Sequence, residues 1–261
     1  MKLLHYRLLG EDQPTHGYQL LVQHGLFGLS DNWQTVGRML AAHYPTYLID
    51  ARNHGRSFWS DEMDYHAMAD DIYNLITALD IARPVLIGHS MGGKAVMQFA
   101  ADYPTLYEKL VVVDIAPRYY PPHHQDVLAG LMAIDLAQAP SRQAVDDVLA
   151  THGIDLGTRQ FLLKSLYRDD NNQFAWRINL PVLLREIEQV GRALEFTKPM
   201  DKPSLFVRGS QSGYIRETDW PEIALAFPQA QTLTIEGAGH WVHADQPQAL
   251  FEALLAFIDQ K

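Results

Sequence analysis

The chain contains no cysteine, which removes disulfides, thiolate metal sites and cysteine nucleophiles and leaves serine chemistry without a thiol competitor. It has no basic run longer than two residues, and 21 lysines and arginines stand against 31 acids for a formal charge of −10. Neither a nucleic-acid surface nor an anionic-membrane surface is expected from that balance. No apolar stretch approaches the about 18 residues of a membrane span. The opening Met1-Lys2-Leu3-Leu4-His5-Tyr6-Arg7 meets charge too soon for a secretory signal, so the cytoplasm is the expected location. Repeats and low-complexity segments are missing as well. Twelve histidines raise the question of zinc, but no His-Glu-x-x-His pattern accompanies them, and no metal or other cofactor is expected.

What is present is an ordinary globular composition, 47% hydrophobic and 20% charged over 261 residues, with a length that buries a large core. Apolar segments of strand length recur at Leu3 to Leu9, Tyr18 to Gln23, Thr46 to Asp50, Val85 to Gly88, Leu110 to Asp114, Ser204 to Arg208 and Thr232 to Glu236. Helical spacing falls between them, as in Ala69, Ile72, Tyr73, Ile76 and Leu79, and again in Phe251, Leu254, Leu255 and Ile258. Alternation of this kind predicts an α/β fold with a mostly parallel central sheet flanked by helices. Asp245 and Pro247 read as start signals of the last helix.

The alternation fails from about Arg118 to Pro199. Helix-like blocks follow one another there without a strand: His123 to Asp135, Arg142 to His152, Thr158 to Arg168 and Pro181 to Arg192. The expectation is an inserted helical cap over residues 118–199, hinged at Pro121-Pro122 and Lys198-Pro199, on a core of 1–117 and 200–261.

Gly88-His89-Ser90-Met91-Gly92 follows the apolar run Pro84-Val85-Leu86-Ile87 and opens a helical stretch. A serine on such a strand-to-helix turn has its hydroxyl lifted out of the sheet, and glycines two residues either side remove the side chains that would collide. Ser90 is therefore the candidate nucleophile. Its base should be a histidine, whose ordinary pKa lies near neutrality. His240 is the choice because Gly237-Ala238-Gly239-His240 follows the last apolar strand and can approach without bulk; His243 then orders the loop. His89 reads as structural, and His24, His54 and His66 as loop anchors.

Taken together, His24-Gly25-Leu26-Phe27-Gly28, the turn Asp50-Ala51-Arg52-Asn53-His54-Gly55-Arg56-Ser57, the Ser90 turn and the Gly-x-Gly-His loop resemble the α/β-hydrolase superfamily, in family order. In many members the orienting acid lies in a segment like Gly-x-x-Ser-Asp-Tyr. This chain reads Gly209-Ser210-Gln211-Ser212-Gly213-Tyr214, with glycine in place of that aspartate. The resemblance implies Asp114 as the replacement, since it ends Val111-Val112-Val113 one strand beyond the Ser90 strand, a position some members use instead; a carboxylate at the end of a buried strand is also costly without partners. A capping role for Asp114 before Pro117 is the alternative, and Asp219 and Asp201 are more distant rivals. Asp114-Ile115-Ala116-Pro117, Ser212 and Ala238-Gly239-His240-Trp241-Val242-His243 further resemble bacterial YbfF-type esterases, which implies that Ser212 assists the shifted acid; the alternative is a serine that only shapes its turn.

An oxyanion site needs two fixed donors. Met91 N–H follows from the turn, and the resemblance implies Leu26 N–H as the second. Phe27, Trp241, Tyr119, Tyr120 and Trp176 are candidate pocket walls. The function these features imply is a serine esterase or thioesterase acting on short to medium acyl groups, with a small-molecule ester or a thioester such as an acyl-CoA as its partner. Carbon-carbon bond hydrolysis, other chemistry of the same residues, and a non-catalytic ligand receptor on this fold are the alternatives.

Overall fold

Runs such as Val85-Leu86-Ile87 and Leu110-Val111-Val112-Val113 are apolar at every position, so each needs cover on both faces. The computed structural model describes residues 2–14, 17–122 and 124–260, and within them provides that cover. Seven strands form one sheet: β1 (Tyr6–Leu9), β2 (Gln19–Gln23), β3 (Thr46–Ile49), β4 (Pro84–His89), β5 (Lys109–Val113) and, beyond the short hairpin of β6 (Leu166–Arg168) and β7 (Phe174–Trp176), β8 (Ser204–Gly209) and β9 (Ala230–Ile235). Their order is β1-β3-β2-β4-β5-β8-β9. Only the edge pair β1 and β3 is antiparallel. Each of the seven strand-length segments of the sequence supplies one strand of this sheet.

The helices are α1 (Gln34–Leu40), α2 (Tyr65–Ala78), α3 (Met91–Asp102), α4 (Gln125–Met132), α5 (Arg142–Thr151), α6 (Leu156–Leu163), α7 (Leu180–Arg185), α8 (Ile187–Gly191), α9 (Trp220–Ala226), α10 (Val242–Asp245) and α11 (Pro247–Ile258). Alternate strand residues face opposite layers. Val85, Ile87, Val111 and Val113 pack with Val36 and Leu40 of α1 and Leu254 and Phe257 of α11. Leu86, Leu110 and Val112 pack with Ile72 and Leu75 of α2 and Val96 and Phe99 of α3. Polar side chains start several helices: Asp64, Ser141 and Asp155 accept the amides of Ala67, Ala144 and Thr158, a contribution of about 1 kcal/mol each.

Strands β5 and β8 are hydrogen-bonded neighbours, yet α4 to α8 and the β6–β7 hairpin intervene in the chain. That hairpin corrects the expectation of helix alone between 118 and 199. Asp169-Asp170-Asn171-Asn172 makes its turn, the Asp169 carboxylate accepting the amides of Asn171 and Gln173, and the helix expected from Thr158 to Arg168 stops at Leu163. The block expected from His123 starts outside the described residues. Gln246, not Asp245, precedes α11, and the Asp245 carboxylate instead accepts Gly239 N–H at 2.8 Å. The inserted segment is fastened to the β3–α2 loop by a bridge between His54 and Ile178 and by Asn179, whose amide and side chain both bond Asn53. Among the described residues, no helix is long and apolar enough to cross a membrane.

Candidate active site

β4 ends at His89 and α3 begins at Met91, so Ser90 alone makes the turn, at φ 52° and ψ −119°. Left-handed φ is uncommon outside glycine and costs on the order of 1–3 kcal/mol. Ser90 is held there from both sides, its amide donating to Val113 at 3.0 Å and its carbonyl accepting Lys94 N–H at 3.1 Å. A Cβ on Gly88 would sit 2.2 Å from the Gly92 carbonyl oxygen, and one on Gly92 would sit 2.5 Å from those of Gln23 and His24. All of these neighbours are backbone, which has nowhere to move. Gly92→Ala is expected to lower stability by about 2–4 kcal/mol, read as a reduced urea midpoint at unchanged slope; a midpoint within error of the parent would mean the turn has slack.

The Ser90 hydroxyl lies 3.0 Å from His240 Nε2, and His240 Nδ1 lies 2.7 Å from Asp114 Oδ2. Asp114 has no solvent exposure and also takes a left-handed φ of 54°. Its other oxygen accepts Gly209 N–H at 3.1 Å, while Oδ2 additionally accepts the Ser212 hydroxyl. A carboxylate only accepts, so the Nδ1 proton faces it and the Nε2 lone pair is left for Ser90. Ser212 in turn accepts Tyr214 N–H at 3.2 Å, which directs its own proton to Asp114. The Tyr214 ring stacks on the imidazole with centroids 3.7 Å apart. Behind the loop, buried His89 donates from Nε2 to the His240 carbonyl at 2.8 Å, fixing the backbone from which the imidazole hangs.

Two further buried histidines shape the opposite wall. His24 accepts Ala51 N–H at Nε2 and donates from Nδ1 to its neighbour's carbonyl, Gly25 O. His54 accepts Phe27 N–H at Nε2, 3.1 Å, and donates from Nδ1 to Arg52 O. Each is thereby a neutral ring of defined tautomer. Burial drives both below the ordinary histidine value, His54 to about 3. Phe27 is left at φ 60° and Gly28 N–H turns back to Gly25 O. The amides of Leu26 and Met91 have no hydrogen-bond acceptor among the described residues, and both residues line the cavity at Ser90.

Of the expected walls, Phe27 and Trp241 line a cavity of about 300 Å³ that opens on Ser90 and His240. Tyr119 and Trp176 do not, and correct the expectation. Tyr120 turns inward to a second, smaller cavity, so its extended neighbour Tyr119 faces out, half exposed, with its hydroxyl on Glu188. Trp176 is buried in the β6–β7 hairpin opposite Leu166. Asp219 is engaged by Arg118 and the Arg216 amide. His243 stacks on Trp33 at 4.6 Å, buried beneath the loop, whereas His66 is exposed and pairs with Asp102. Tyr214, Tyr65, Val127 and Phe161 line the cavities without having been singled out in the sequence. Tyr214, next to Gly213 in the loop that replaces the usual acid, was within reach of that comparison.

Residues 18–247 match the α/β-hydrolase fold family. The chain belongs to that family. It is 36% identical over 241 residues to Esterase YbfF of Escherichia coli K12, covering 92% of each chain. It is 38% identical over 256 residues to the sn-1-specific diacylglycerol lipase ABHD11 of Xenopus laevis, covering 95% of this chain and 82% of the relative. Among solved structures, a marine microorganism esterase superposes with a TM-score of 0.94 at 36% identity, over 98% of this chain and all of the other. These relatives bear the names of ester hydrolases.

Proposed function

We propose that the chain hydrolyses carboxylic esters or thioesters through an acyl-enzyme. Ser90 is the nucleophile, His240 the general base and then acid, Asp114 the group that orients His240, and Ser212 a second donor that steadies the Asp114 carboxylate. The observation that carries this reading is the unbroken relay from Ser90 Oγ through His240 to a buried carboxylate, ending at an apolar cavity.

In the acylation step Ser90 Oγ bonds to the carbonyl carbon as its proton passes to His240 Nε2. The resulting oxyanion meets the Leu26 and Met91 amides, which together with the start of α3 stabilise developing charge; one such donor is worth about 3–4 kcal/mol. The carbon–oxygen or carbon–sulfur bond then breaks, and the leaving atom takes the proton from His240. Water repeats the sequence with His240 as base, releasing acid and free Ser90. Asp114 and the stacked Tyr214 ring favour the imidazolium formed in both halves. Residues 118–199 act as the cap that keeps bulk water from the acyl-enzyme.

The test is a panel of p-nitrophenyl and acyl-thioester substrates followed by intact-protein mass spectrometry after a fluorophosphonate. Multiple turnovers and a single adduct mapped to Ser90 are expected. No turnover at any chain length would make the fold a ligand receptor, and turnover with the adduct elsewhere would reassign the nucleophile.

A further inference from the structure

Resting on the ester-hydrolase reading, we infer that the substrate is a short acyl group carried on a bulky apolar alcohol or thiol, seated with its acyl part in the smaller of two cavities that meet at Ser90. The two cavities differ in size and in which catalytic groups they contain. The smaller, about 40 Å³, is bounded by Met91, Ile115, Tyr65, Tyr120, Ile187 and Val190. The larger, about 300 Å³, is bounded by Phe27, Val127, Phe161, Leu162, Trp241 and His240. Both reach Leu26 and Ser90.

The chemistry orients the substrate between them. A tetrahedral carbon on Ser90 Oγ has three other substituents: the oxyanion, the leaving atom and the acyl chain. The oxyanion belongs at the Leu26 and Met91 amides. The leaving atom must reach His240 Nε2, because that nitrogen returns the proton. His240 lines only the larger cavity, so the leaving group extends there and the acyl chain is directed to the smaller one. A water-sized group needs about 10–15 Å³ of such space, so the smaller cavity holds about three, an acyl chain of roughly two to four carbons.

The smaller cavity is also the stiffer. Its α8 wall is tied to the core by buried polar contacts: Tyr65 donates to the Val190 carbonyl at 2.5 Å, and Lys94, buried in α3, donates to the carbonyls of Gly191, Arg192 and Arg118. Tyr120, on the opposite side, accepts Ala116 N–H and donates to the Tyr214 carbonyl. Enlarging this cavity would break hydrogen bonds to buried groups, each costing about 1–3 kcal/mol. The larger cavity takes apolar side chains from α4 and α6, Val127, Phe161 and Leu162, with Phe161 on Trp241 at 5.2 Å between centroids.

Two isomeric esters, octyl acetate and ethyl octanoate, contain the same atoms and leave as similar alkanols, so they differ only in which side carries the bulk. Octyl acetate is expected to have a kcat/KM at least about thirtyfold higher, the scale on which a tight apolar pocket rejects extra methylenes. Ile187→Ala, which opens the smaller cavity, is expected to raise kcat/KM for ethyl octanoate at least tenfold, whereas Phe161→Ala is expected to lower it for octyl acetate. Equal use of the two esters, or preference for ethyl octanoate, overturns the orientation while leaving ester hydrolysis standing. An Ile187→Ala gain confined to octyl acetate overturns it too. Turnover of neither ester, with no acyl adduct on Ser90, overturns both.

Discussion

Replacing Asp114 by asparagine is expected to lower kcat by roughly 10⁴-fold, with KM changed only a few-fold. Asparagine has nearly the same shape, so the fold should persist and the loss is one of proton placement. Gly209 N–H points at Oδ1 from 3.1 Å, and only a carbonyl oxygen satisfies it. The asparagine amide nitrogen must then face His240 Nδ1, which stands 2.7 Å from Oδ2 in the parent. An amide N–H donates, so Nδ1 has to accept and the ring proton moves to Nε2. That nitrogen, 3.0 Å from Ser90 Oγ, then holds a hydrogen where a lone pair is required. Steady-state kinetics on a p-nitrophenyl ester, alongside circular dichroism of the variant, checks the prediction. A loss under tenfold would mean that another group orients His240.

Acid should unfold this protein early. His54 and His243 are fully enclosed; burial, the first cause for each, holds both at about 3, with repulsion from His24 acting on His54 and from His240 on His243. His24 and His89 are displaced in the same direction. The native state thus refuses protons that the unfolded chain accepts below about pH 6.5. The stabilising contribution is complete above pH 6.5 and is lost as pH falls from 6.5 toward 3, at about 1.4 kcal/mol per pH unit for each such histidine. Between pH 6.5 and 5, His54 and His243 alone remove about 3 kcal/mol, a large part of the 5–15 kcal/mol typical of a domain. Protonation also takes from His54 the lone pair that accepts Phe27 N–H.

Asp50 adds a later loss. Burial would raise its carboxyl, but His24 and the amides of Ser30 and Arg56 outweigh that and hold it below the ordinary carboxylate value, so its contribution disappears at still lower pH. Calorimetric Tm measured from pH 7.5 to 4.5 is expected to fall steeply below 6.5. His243→Phe keeps the stacking on Trp33 and is expected to flatten the slope by about one proton's worth. A Tm independent of pH down to 5 would show that the buried rings protonate in place.

How far the sequence reached follows from the range of each signal. The sheet was legible because seven apolar runs, several continuous, fit only strands covered on both sides, and each became a strand of one sheet. The β6–β7 hairpin was missed because three-residue strands carry almost no periodicity; only the turn residues Asp169 to Asn172 announced it. Asp245 misled because a capping residue is recognised by type, and its carboxylate found the Gly239 amide before any helix amide. Tyr119 and Tyr120 were equivalent as letters, and the direction of an extended backbone decided which of them turned inward.

By itself the sequence determined the alternation of strand and helix, the serine on its glycine-flanked turn and the histidine on its late loop, because these depend on steric and hydrophobic rules acting within about ten residues. Tertiary structure alone decided which of the two roles open to Asp114 it takes, its carboxylate meeting the His240 ring 126 positions away, that Tyr214 stacks on the ring, and that two cavities of unequal size flank Ser90. Those facts arise where segments distant in the chain are pressed together, and side-chain direction and enclosed volume exist only after that packing has occurred.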